Sequence, residues 1–231
     1  MRRIGAFTGV ILASCPMRCR GRRYRPRPST YWCPARFDAI IDAIMQTIAT
    51  IFWRRLDAPG HDACRLERHG ESWQLDGAAV FQHSDGRPAR LDYRVFCDKA
   101  WHTKWGRVRG WIGSGAVDFA IARNGRGDWT LNEEVVPELA HCIDLDLGFT
   151  PATNLVQLRR LNLKKGEVAE VPTAWIDLDG DSLSMLTQRY TRKGDGEYAY
   201  EAPRFEYKDT LKVTAEGFIT RYPGLWEAVG D

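Results

Sequence analysis

Turn dipeptides recur along this chain at intervals too short for helices. Asp76-Gly77, Asp85-Gly86, Asn124-Gly125, Asp179-Gly180 and Glu216-Gly217, with Gly113-Ser114-Gly115 and Gly194-Asp195-Gly196, interrupt runs of alternating apolar and polar residues. Gly, Asn and Asp accept the positive backbone φ that tight hairpin turns require. Between these breaks, residues 48–56, 72–81, 90–97, 107–111 and 117–122 read as strands, as do 171–177, 183–191, 197–202, 210–214 and 217–221. Short strands at this spacing predict an antiparallel barrel or sandwich rather than a parallel α/β sheet. The expected fold is all-β: antiparallel meanders forming an open or closed barrel from two similar halves, with few short helices. Helical spacing is expected over residues 37–48, and one turn or more over 133–140, limited by Pro137.

The densest grouping of opposite charge lies between the two sets of strands. His141-Cys142-Ile143-Asp144-Leu145-Asp146-Leu147 alternates as a strand, with Asp144 and Asp146 on one face. Gly148-Phe149-Thr150-Pro151-Ala152-Thr153-Asn154 follows as a hydroxyl-rich turn, and residues 155–163 resume as a strand bearing Arg159 and Arg160. Neighbours on a strand face opposite ways, so at most one of these arginines shares a face with both carboxylates. Two carboxylates about 6.6–6.8 Å apart on one face suit three roles: a structural ion-pair network, the anchor of a polar ligand, or acid and base at a glycosidic bond.

Other chemistries find little support. The five histidines show no metal-ligand spacing, and no CxxC, GxSxG, phosphate-binding loop or dinucleotide fingerprint occurs. No metal or cofactor is expected. Cys97 and Cys142 sit in strand contexts as small buried hydrophobes. Nine Trp suit a wide apolar interior or an aromatic-lined groove, and Tyr198 and Tyr200 share one strand face. No apolar run approaches the roughly 20 residues of a membrane-spanning helix.

Charge divides the chain. Residues 1–44 hold nine Arg against Asp38 and Asp42, a net +7, whereas residues 45–231 hold 24 basic and 28 acidic groups, a net −4. The mildly acidic body offers no basic face for nucleic acid. Residues 1–44 are expected to be a disordered or non-native extension, with Met45 as the functional start. Leu12-Ala13-Ser14-Cys15 offers the alternative of a lipoprotein tethered to a membrane through Cys15 in place of a cytoplasmic protein. A zinc site on Cys15, Cys19 and Cys33 lacks a fourth ligand in that segment.

Several motifs together resemble the bacterial glycolipid-binding family. They are Cys142-Ile143-Asp144-Leu145-Asp146, Thr150-Pro151-Ala152-Thr153-Asn154 and Leu158-Arg159-Arg160-Leu161, with Trp53-Arg54-Arg55-Leu56, Trp175, Gln188-Arg189-Tyr190 and Tyr222-Pro223-Gly224-Leu225-Trp226. The resemblance runs from about Met45 to the end and departs at His141, where the family usually has Gly, and at Val156-Gln157, where it has Leu-Pro. It implies two meandering halves akin to bacterial lipoprotein carriers, and binding of a glycolipid or other lipid-like molecule; it brings no catalytic residues. The expected site comprises Asp144, Asp146, Thr153, Asn154, Arg159, Arg160, Trp175, Gln188 and Tyr190. Its acyl chain would lie in an aromatic-lined cavity and its polar head near Asp144, Asp146 and Arg159. The alternatives are a hydrolase of a sugar- or acyl-containing substrate using Asp144 and Asp146, and a non-catalytic interaction module.

Overall fold

The computed structural model describes residues 45–230. The expectations for the Cys15 lipoprotein site, the three-cysteine zinc site, the N-terminal extension and most of the 37–48 helix lie outside those residues. Met45–Ile48, the end of that predicted helix, belong to the first strand instead.

One sheet of fifteen strands runs through the described chain. Its first half is a meander of β1 (Met45–Arg55), β2 (Gly60–His69), β3 (Ser72–Gln82), β4 (Pro88–Cys97), β5 (Thr103–Ile112) and β6 (Gly115–Arg123), with short β7 (Trp129–Leu131) and β8 (Glu134–Val136) at its edge. The second half comprises β9 (Asp144–Asp146), β10 (Val168–Asp177), β11 (Ser182–Gly194), β12 (Glu197–Ala202), β13 (Tyr207–Val213), β14 (Ile219–Tyr222) and β15 (Trp226–Ala228). The halves join where β1 pairs antiparallel with β15, so the spatial order is β8 through β1, then β15 back to β9. Trp53 anchors that seam: fully buried, it donates its indole N–H to the Ile219 carbonyl and meets Phe218 edge-on. All ladders are antiparallel except β9 with β10.

The sheet curls without closing. β9 reaches β5 through two bonds: the Thr103 N–H donates to the Ile143 carbonyl at 3.3 Å, and the Leu145 N–H donates to Thr103 Oγ1 at 3.2 Å. Leu145 is fully buried, which contributes about 2 kcal/mol. Its side chain fills the space that a Cβ on Gly106 would occupy.

Three local expectations change. Residues 60–69 form a full strand that alternation missed, because inward-facing Asp62 breaks the apolar pattern. Residues 134–136 form β8 rather than a helical turn. Asp76-Gly77 does not turn: it lies mid-strand in β3, opposite Tyr93 and Arg94. Gly77 is there for room, since an added Cβ would sit 2.3 Å from the Tyr93 ring. Tyr93 is buried and tethered through its hydroxyl, so it cannot retreat. Gly77→Ala is therefore expected to destabilise the protein by about 1–3 kcal/mol in urea unfolding. Gly125→Ala, where nothing lies within 4 Å, should leave stability unchanged.

Candidate functional site

The segment after Thr153 is the helix α1 (Asn154–Leu161), not a strand. Its sequence allows either reading, and the contacts decide. Leu155 and Leu158 recur at helical spacing, Arg159 and Arg160 sit favourably in the last turn, and Asn162 ends the helix at φ 44°. Eight residues are marginal as an isolated helix. Its first five residues are all buried against the sheet. Thr153 gives no side-chain cap; its Oγ1 instead accepts the Leu147 N–H at 3.2 Å and points its proton at Asp146 Oδ1 at 3.5 Å.

Seven of the nine predicted site residues meet beneath α1. Arg160 grips Asp144 with two nitrogens, Nε to Oδ1 at 2.9 Å and Nη2 to Oδ2 at 2.6 Å. Gln188 Nε2 donates to Asp146, and Asn154 Nδ2 donates to Tyr190 Oη at 2.8 Å. The Tyr190 hydroxyl contacts Gln157 Oε1 and, at 3.0 Å, Gln188 Oε1; its one proton serves one of them at a time. Gln157, buried in the same network, is marked in the sequence only as a departure from the resemblance and not as a site residue. Burial raises the carboxyl of Asp144, only partly opposed by Arg160, and pushes Asp146 up to about 6 against the bonds from Gln188 and Thr153.

Arg159 and Trp175 stand apart. Helical geometry turns Arg159 away from its neighbour, with its guanidinium 5.5 Å from the Trp101 ring. Trp175 packs on Gly148 and lies beneath Arg204 at 4.7 Å, edge-on to Phe205.

A second buried polar cluster ties down the turn before α1. Tyr93 Oη donates to Asp62 at 3.0 Å, and the Thr150 hydroxyl also donates to Asp62. The Ala152 N–H donates to Thr150 Oγ1 at 3.1 Å. Burial pushes the Asp62 carboxyl up to about 7 despite these bonds.

The tyrosines expected to line an acyl cavity fill the second half themselves. Tyr190 and Tyr200 pack at 5.0 Å, and Tyr200 meets Tyr222 at 5.6 Å. A hollow of about 460 Å³ opens at the end of α1. Leu158, Arg159, Asn162, Arg192, Tyr198 and Trp101 line it. Neither Asp144 nor Asp146 reaches it. Trp101 is unusual: a bulky residue at φ 65°, its ring stacked 4.5 Å from Trp73 on the wall facing Arg159. Among the described residues, no group of three His, Cys, Asp or Glu is placed to hold a metal ion, and no helix is long and apolar enough to cross a membrane.

Comparison with known proteins gives two matches. The model of a family described as "Putative glycolipid-binding" matches residues 50–228. The crystal structure of a DUF1089 family protein from Pseudomonas aeruginosa superposes with a TM-score of 0.66 at 28% sequence identity, covering 74% of this chain and 92% of that one. No curated protein matches.

Proposed function

This chain belongs to the glycolipid-binding family, and from that premise we propose that it holds the sugar head of an amphiphile in the hollow at the end of α1. The observation that carries the reading is Trp101. A non-glycine residue held at positive φ costs about 1–3 kcal/mol and persists where its surroundings demand it. Here it sets an indole against the Arg159 guanidinium at the wall of a polar hollow. Arg159, Arg192 and Asn162 offer donors to sugar hydroxyls, and Asp195 offers an acceptor. Among the described residues Arg159 has no carboxylate partner, so its donors are available.

Asp144, Asp146, Thr153, Asn154, Arg160, Gln188 and Tyr190 act from behind in this reading. They hold α1 so that its last turn forms one side of the hollow. The acyl tail follows Leu158 and Tyr198 from the hollow toward the tyrosine cluster. Because Tyr190 and Tyr200 already fill that space, the tail enters only as the last turn of α1 gives way.

Calorimetric titration with a short-chain alkyl glycoside below its micelle concentration tests the proposal. The unaltered protein should bind it, and Arg159→Ala should weaken binding by about 10–100-fold, the worth of a hydrogen bond from a charged donor. No binding, or equal binding by the variant, would overturn the reading.

A further inference from the structure

The outer face of the first meander carries a second hollow, about 640 Å³, remote in sequence from α1 and independent of the proposal above. Its floor is open because the cross-strand pair Ala63 and Ala78 carries small side chains. Its walls are arginines: Arg65, Arg94, Arg107 and Arg109.

The register places Arg94 on β4 directly opposite Arg107 on β5. Like charges in that position repel, at Cβ separations of about 4.5–5.5 Å. The available carboxylates are shared rather than matched. Asp76 accepts from Arg65 at 2.7 Å and from Arg94 at 3.2 Å. Asp118 takes both Arg107 and Arg109, the latter at 3.4 Å. Asp92 is engaged by Arg90 at 2.8 Å, and Arg65 also reaches buried Glu67 at 3.1 Å. After this sharing, the Arg107 Nε–H is buried without an acceptor. Two guanidiniums facing one another across a concave surface suit an anion with several oxygens.

We propose that this groove binds a phosphate-class anion between the partly exposed side chains of Arg94 and Arg107. The hollow has room for more than inorganic phosphate, so the group can be carried on an organic residue: a soluble sugar phosphate or the head of an anionic lipid. Both present the same oxygens to the arginines.

Proton–nitrogen NMR of the arginine Nε–H signals reads the site directly, and Arg107→Lys identifies the Arg107 signal by its loss. Titration with inorganic phosphate and with a hexose phosphate should shift that signal. Arg107→Lys keeps the charge but loses the Nε–H and the planar fork, so its affinity for the hexose phosphate should fall at least tenfold. Arg126→Lys, on the exposed turn between β6 and β7 and outside both hollows, should bind as the unaltered protein does. Sedimentation with phosphatidic acid vesicles, set against phosphatidylcholine vesicles, separates the sources. Binding of the hexose phosphate alone supports a soluble ligand, and Arg107-dependent vesicle binding supports a lipid head. An Arg107 signal unmoved by every probe, or equal affinity in Arg107→Lys, would overturn the proposal.

Discussion

Arg160→Ala is expected to destabilise the protein by about 3–5 kcal/mol, the cost of leaving a buried charge without its partner. Asp144 is fully buried and Arg160 is its two-pronged partner, so the carboxylate loses its compensation. The loss also frees the end of α1, an eight-residue helix that depends on its tertiary contacts. Arg160→Lys should recover only part of the stability, because an ammonium cannot span both oxygens as a guanidinium does. Asp144→Asn combined with Arg160→Ala should cost less than the sum of the two single changes, since the residues act as a pair. Urea unfolding of the four proteins measures this. A cost below about 1 kcal/mol for Arg160→Ala would mean that the pair does not hold the helix.

The second large effect is a dependence on pH that runs against the usual carboxylate pattern. Burial raises Asp62 to about 7 and Asp146 to about 6. A carboxyl whose pKa is higher in the folded chain binds its proton more tightly there than in the unfolded chain. Its contribution is full below the unfolded pKa of about 4 and is lost as pH rises through the folded value. Unfolding free energy attributable to these groups should therefore fall between pH 4 and 8, by at most about 4 kcal/mol for Asp62. Asp62→Asn removes that group and keeps an oxygen for Tyr93 and Thr150. Its stability relative to the unaltered protein should climb steadily from pH 5 to 8. Parallel pH profiles for the two proteins would show that Asp62 does not titrate in this range.

The all-β class was legible because turn residues and period-two alternation act locally, and most of the long strands obey both. Where a strand spends an inward position on a buried carboxylate, as β2 does with Asp62, the pattern hides it. The helix escaped for a related reason. Residues 154–158 are all buried, so no polar face marks a period there, and β-like and helical readings fit equally. That error changed the site. On a strand, Arg159 and Arg160 would point to opposite faces; on α1 they also diverge, but Arg159 arrives at the hollow beside Trp101. Seven of the motif residues share one buried network, with Gln188 and Tyr190 brought from β11 to meet Asp146 and Asn154. Trp101 and Arg192 were not singled out because the contacts that matter for them lie far away in the chain: Arg192 donates to the Leu163 carbonyl, and Trp101 stacks on Trp73.

The indole N–H resonances, followed during titration with a short-chain alkyl glycoside, test most directly where the sugar head sits. The account predicts that the Trp101 signal moves in a saturable way while those of Trp105 and Trp175, on other surfaces, stay still. Movement at Trp175 with a stationary Trp101 would contradict it.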